Sequence, residues 1–156
     1  MVLPMSKKIK LYVKFEGGYD PYAIDKCTAA RCVSHGLMKI IDEIPNSSLL
    51  LYPFANEYLT VYDKSLAEAH GIYLIDAPWD ILPAINSRLS DDIRRRKLIN
   101  VREVQGPYKG SDYKISTAGA AAYALFILGY REQAEELLDV FPWKDDFIKE
   151  NFRNRR

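Results

Sequence analysis

The chain has 156 residues, enough for one compact domain or two small intertwined lobes burying roughly 70% of the unfolded chain's surface, so it needs no disulfides to hold it together. With 22 Lys and Arg against 21 Asp and Glu, the formal charge is +1, which excludes a general polycation; affinity for nucleic acid would have to come from local clustering. Cys27, Cys32 and His35 lie close together, but a structural zinc wants four ligands and the other histidine is the distant His70, so two reduced thiols are expected and no metal.

No segment approaches the roughly 18 to 20 apolar residues of a membrane span, and "MVLPMSKKIK" lacks the apolar region of a signal peptide. A cytoplasmic, reducing location and no membrane partner are the resulting expectation. "IKLYVKF" (Ile9 to Phe15) alternates like a half-buried strand and runs into the turn-forming "EGGYDPY". Thr28 reads as the N-cap of a helix over "AARCVSH", stopped by Gly36. "LMKII" and "SSLLLY" (Ser47 to Tyr52) read as two more strands, and Thr60 or Asp63 as the opening of a helix that ends at Gly71.

"GIYLID" (Gly71 to Asp76) is a continuous apolar run ending in a carboxylate, the pattern of a parallel strand buried on both faces with Asp76 at its tip. In open α/β sheets ligands bind at that edge. "DDIRRRKLINV" predicts a charged helix followed by a strand at Leu98 to Val101, and "REVQGPYKGSDYK" a polar loop. From Ser116 onward the pattern is helical: about Thr117 to Leu128, Arg131 to Val140 after Gly129, and a short helix after Pro142. The sum is an α/β fold with a helical C-terminal end and no internal repeat.

No nucleophile elbow, phosphate-cradling glycine loop, zincin motif or histidine pair is present. Three features could carry chemistry. In "DAPW", Asp76 and Trp79 can share a pocket, the indole covering a purine or helping to surround a sulfonium and the carboxylate accepting a proton. The plain alternative is a core tryptophan and an aspartate capping the next helix. In "STAGAAA", Ser116 and Thr117 stand at a helix mouth, a natural place for a carboxylate, and small residues behind them allow close approach of a ligand or simply of another backbone. Between Arg94 and Lys114, seven Lys and Arg face only Glu103 and Asp112, interleaved with Tyr108 and Tyr113. That combination suits phosphate contacts with base stacking, or it is a solvated face.

Taken in order, "KCT" (Lys26 to Thr28), "LYPF" (Leu51 to Phe54), "LTVYD" (Leu59 to Asp63), "DAPW" and "YKIST" (Tyr113 to Thr117), with "ALFILGYREQAEELLDVFPW" closing on Phe141 and Trp143, resemble the small-subunit ribosomal RNA aminocarboxypropyltransferase family of archaeal and eukaryotic ribosome-biogenesis proteins. The likeness spans nearly the whole chain. It departs from the family pattern at Ala29, at "VQGPYKG" (Val104 to Gly110), at Gly119 and at "KDDF" (Lys144 to Phe147).

The resemblance implies a SPOUT-like knotted parallel sheet, with residues 1–60 as a small N-terminal α/β lobe and 61–156 as the cofactor-binding domain. It implies S-adenosylmethionine as donor of its 3-amino-3-carboxypropyl group to a hypermodified uridine or pseudouridine of small-subunit rRNA, by a monomeric enzyme acting on the rRNA or the pre-ribosomal small subunit. Carried over by residue, Leu51, Pro53, Trp79, Ile115 and Ala120 would line the adenine pocket. Thr28, Ser116 and Thr117 would hold the amino acid end, the backbone at Ile99 the ribose, and Asp76 would be the general base. Arg94, Arg95, Arg96, Lys97 and Lys109 would face RNA. The competing expectations are a catalytically silent assembly factor that binds the same RNA, and a SPOUT methyltransferase.

Overall fold

A computed structural model of the chain describes residues 7–152. Five parallel strands form one sheet: β1 (Leu11–Phe15), β2 (Lys39–Ile40), β3 (Leu49–Leu51), β4 (Ile72–Asp76) and β5 (Arg94–Arg96), in the order β2-β1-β4-β3-β5. The apolar run of β4 sits at the centre, between β1 and β3, where a strand is buried on both faces. Side-chain alternation divides the strands between two cores. Leu11, Val13, Leu49, Leu51, Ile72 and Leu74 point to the larger one, under helices α1 (Thr28–Ser34), α4 (Thr117–Ile127), α5 (Arg131–Leu138) and α6 (Lys144–Asn151). Leu50 and Tyr73 point to the smaller one, with Tyr12 stacked on Tyr73 at 4.7 Å and the short α3 (Leu82–Ile85) covering it. Both parts of the chain, 1–60 and 61–156, supply strands to this sheet and side chains to the larger core.

Helix α2 (Lys64–His70) follows a 3-10 turn capped by Thr60, whose hydroxyl accepts from Tyr62 N while the Asp63 carboxylate accepts from Thr60 N. It ends at Gly71, where φ is +86° and a Cβ would lie 2.7 Å from the Lys10 carbonyl oxygen. Only glycine lets the chain turn that closely into β4.

Three local expectations are corrected. The helix expected over "DDIRRR" and the strand expected at Leu98 to Val101 are absent, and Arg94–Arg96 is itself the strand. Backbone pairing decided this: β3 offers an open edge, filled by Arg94 N–H on Ser48 O and Tyr52 N–H on Arg96 O, both 2.8 Å. Charged residues suit such an edge strand. Thr28 is not an N-cap but the first residue of α1; Cys27 holds the cap position without a side-chain bond. The Thr28 hydroxyl serves another helix.

Candidate active site

The carboxyl edge of the sheet opens into a cleft of about 450 Å³, within the range of small-molecule sites. β3 brings Leu51 to it, β4 brings Asp76, and the end of β5 brings Arg96 and Lys97. Opposite stands the N-terminus of α4. Its first turn is held by side chains: Ser116 Oγ accepts from Gly119 N at 3.2 Å and Thr28 Oγ1 accepts from Ala118 N at 3.1 Å. The Thr28 bond ties the starts of α1 and α4 together and leaves the Thr117 N–H without an acceptor among the described residues. A free N–H at the positive end of an eleven-residue helix, beside a hydroxyl, is a fit for a carboxylate.

Asp76 lies across from that turn. Thr117 Oγ1 donates to its Oδ1 at 3.4 Å and the Cys27 thiol to its Oδ2 at 3.6 Å. Burial pushes the Asp76 carboxyl above its ordinary range, and the two donated hydrogen bonds oppose the rise. The Cys27 thiol is pushed up as well, first by burial, so it stays a neutral donor. A half-buried carboxylate with raised proton affinity and no cation paired to it can accept a proton from a bound acid or balance a bound cation.

A second carboxylate lines the cleft. Glu103 is 3% exposed; its Oε2 accepts from Ser116 N at 3.2 Å and its Oε1 from Gln105 Nε2 at 2.8 Å. Burial raises its pKa, against the hydrogen bonds from Gln105 and Ser116. Its position fixes the entry of α4. The apolar walls are Leu51, Pro53, Trp79, Ile115 and Ala120. Flat apolar walls, a helix mouth and uncompensated carboxylates together match a ligand with a purine, a carboxylate and positive charge. Among the described residues no cluster of three or more His, Cys, Asp or Glu could hold a metal ion, and no helix is long and apolar enough to cross a membrane.

A family model described as "Ribosome biogenesis protein, C-terminal" matches residues 49–154. The 16S rRNA aminocarboxypropyltransferase of Methanosarcina mazei is 31% identical over 150 residues, 94% of this chain and 83% of that protein. The chain belongs to the small-subunit rRNA aminocarboxypropyltransferase family. The protein of the same name from Vulcanisaeta distributa is 32% identical over 127 residues, covering 79% of this chain and 69% of the relative. A solved structure, the SAM-dependent rRNA:acp-transferase Tsr3 from Vulcanisaeta distributa, superposes with a TM-score of 0.84 at 29% identity, over 93% of this chain and 79% of that one.

In this aminocarboxypropyltransferase-family chain, Thr28, Leu51, Pro53, Asp76, Trp79, Ile115, Ser116, Thr117 and Ala120 all line the one cleft. Ile99 does not; its neighbours Leu98 and Val101 do, and its carbonyl accepts from the Tyr123 hydroxyl at 2.6 Å. The basic residues scatter. Arg94 begins β5, away from the cleft edge. The Arg95 guanidinium turns back onto Asn86 Oδ1 at 2.6 Å and the carbonyls of Ser90, Ile93 and Leu89. Arg96 pairs with Asp63 at 3.3 Å and Glu57 at 3.6 Å, and Lys109 lies in a separate groove with Arg102 and Lys149. Lys97 is at the cleft with its ammonium over Tyr58.

Nothing local in the sequence points to Glu103 as a cleft residue or to Cys27 as a partner of Asp76. Glu103 sits in what reads as a solvated polar loop, and no spacing links it to Ser116, thirteen residues on. Cys27 has a signal in "KCT", but its spacing to Cys32 and His35 points only to a thiol or a metal ligand.

Proposed function

We propose that the protein transfers the 3-amino-3-carboxypropyl group of S-adenosylmethionine to a ring nitrogen of a uridine or pseudouridine in small-subunit rRNA. The observation that carries this reading is the convergence of Asp76, the Thr28–Ala118 clamp, the Thr117 turn and the Leu51, Pro53 and Trp79 walls in one cleft, in a chain with family relatives of that activity by name. The carboxyl edge of an all-parallel sheet supports the SPOUT-like threading of the chain as part of the same reading. The cleft is lined by Thr28, Leu51 and Pro53 from residues 1–60 and by Asp76, Trp79, Ile115 and Ala120 from 61–156, which supports cofactor binding between the two parts of one chain and action as a monomer.

When bound, the cofactor supplies an electrophilic methylene carbon beside its sulfonium, and methylthioadenosine is the product that leaves. Trp79, Leu51, Pro53, Ile115 and Ala120 would hold the adenine, the Leu98 to Val101 backbone around Ile99 would meet the ribose, and the Thr117 N–H would orient the carboxylate while the Thr117 hydroxyl stays on Asp76. Asp76 takes the proton of the attacking ring nitrogen; burial raises its proton affinity and so its strength as a base. No side chain forms a bond to the transferred group, so positioning provides most of the rate. Arg94, Lys97 and Lys109 meet RNA phosphates, while Arg95 and Arg96 stiffen the strand that carries them.

Calorimetry with S-adenosylmethionine tests the site, and no heat at millimolar ligand rejects it in favour of a silent RNA-binding assembly factor. Incubation with small-subunit rRNA and cofactor labelled separately in the methyl and the carboxyl group tests the reaction. Carboxyl label in RNA with methyl label left in methylthioadenosine is the expected result; methyl label in RNA would mean a methyltransferase.

A further inference from the structure

The floor of the cleft suits the cofactor, but its mouth has a chemistry of its own. Phe54, Tyr58, Tyr108 and Tyr113 gather there, each between 39% and 48% exposed. Tyr108 and Tyr113 both meet the Trp79 indole edge-on with ring centroids 6.1 Å away, and Phe54 meets Tyr113 at 6.3 Å. The Lys114 ammonium lies 4.8 Å from the Tyr108 centroid and 5.9 Å from that of Tyr113, and the Lys97 ammonium 4.6 Å from Tyr58. Neither lysine has a carboxylate partner among the described residues.

Phe54, Tyr113 and Tyr108, exposed and joined by ring contacts through Trp79, mark a recognition surface, and the lysines narrow what it recognises. Their ammonium groups want anions, while the rings offer flat faces. A nucleotide has both parts. The base to be modified must also reach the cofactor's reactive carbon, which a stacked or paired base cannot do; it has to swing out of its strand and be held on a new stacking surface. The rim lies on that path, in ring contact with the Trp79 wall of the cofactor cleft.

We propose that Tyr108, Tyr113 and Phe54 receive the unstacked target base of a single-stranded RNA segment while Lys114 and Lys97 hold its flanking phosphates. This rests on the transferase reading above and specifies how its RNA substrate enters.

The probes are a short single-stranded oligoribonucleotide carrying one uridine and the same strand with an abasic ribose at that position, titrated into protein saturated with S-adenosylmethionine. Wild-type protein is expected to prefer the uridine strand roughly 5- to 150-fold, the range for one stacked base. Tyr108→Leu with Tyr113→Leu, which keeps apolar bulk and removes the ring faces, is expected to abolish that preference. Tyr108→Phe with Tyr113→Phe keeps it. Lys114→Gln lowers the slope of log affinity against log salt by about 0.7, the value for one single-strand phosphate contact. Each variant is titrated while saturated with S-adenosylmethionine, so a change in cofactor affinity from the lost ring contacts with Trp79 does not enter the uridine preference.

No binding of either strand by the wild-type protein, or a uridine preference that survives the leucine pair, overturns the proposal. So does concentration-dependent dimerisation of the wild-type protein that the leucine pair removes, since the rim would then be an interface between copies. Intact cofactor binding beside any of these results refutes the rim alone. Failure of the wild-type protein to bind cofactor refutes the proposed function itself.

Discussion

Replacing Gly119 by alanine sets two calculable effects against each other. Gly119 is the third residue of α4, and on helix propensity alone alanine is better there by about 0.5–1 kcal/mol. The packing opposes it. A Cβ at this position would lie 3.0 Å from Phe147 Cε2, 3.0 Å from Ser116 Oγ and 3.1 Å from Ile115 Cγ2. Phe147 is fully buried between Trp143 and Phe152, with ring centroids at 5.7 and 6.0 Å, so it has little room to give. Overpacking of this kind costs about 1–3 kcal/mol. Ser116 Oγ caps the helix through Gly119 N, and displacing it adds about 1 kcal/mol. The balance is a destabilisation of about 1–3 kcal/mol, read in urea unfolding as a lower midpoint at unchanged slope. The same displacement moves the Thr117 turn, so S-adenosylmethionine affinity should fall in the folded variant. An alanine variant as stable as the wild type, with unchanged cofactor affinity, would refute the close packing that holds this side of the cleft.

Trp79→Ala should weaken S-adenosylmethionine binding by about 1–3 kcal/mol, by analogy with loss of one stacked aromatic; equal affinity by calorimetry would make Trp79 ordinary lining. Asp76→Asn keeps an acceptor for Thr117 but removes the base, and transfer should slow by about 10²- to 10⁴-fold with a much smaller loss of cofactor binding. In the wild type the transfer rate should rise with pH through a pKa above the ordinary aspartate value, and an unchanged limb in the asparagine variant would remove Asp76 from the chemistry. Burial raises the folded-state pKa of both Asp76 and Glu103, so the folded protein binds more protons than the unfolded chain just above the ordinary carboxylate pKa; this contribution to stability is present at lower pH and declines as pH rises through the raised values. Arg96→Gln strands the buried Asp63 and should cost up to about 3–5 kcal/mol in thermal unfolding, whereas Arg94→Gln at an exposed position should stay within about 0.5 kcal/mol; a reversed ranking would contradict the internal role of Arg96.

Much of the scaffold was legible because its signals are local. The apolar run into Asp76, the alternation of "IKLYVKF" and the helix-ending glycines at 36, 71 and 129 each act over a few residues, and the corresponding elements form where the pattern puts them. The three arginines were misread because a strand at a sheet edge is decided by the partner's free backbone groups, and "DDIRRRKL" carries no trace of the open edge of β3.

The site divides in the same way. Sequence by itself determined the α/β class, the carboxylate at the tip of the central strand and the small-residue helix with its polar mouth, since each depends on residue type and near-neighbour spacing. Only the tertiary structure decided that Thr28 caps α4 across ninety residues, that Glu103 anchors Ser116, that Cys27 reaches Asp76, and that two of the three clustered arginines spend their charge inside the fold. Those partners are set by how the sheet brings distant segments to one edge, and a buried polar group must find a partner there whatever its distance along the chain.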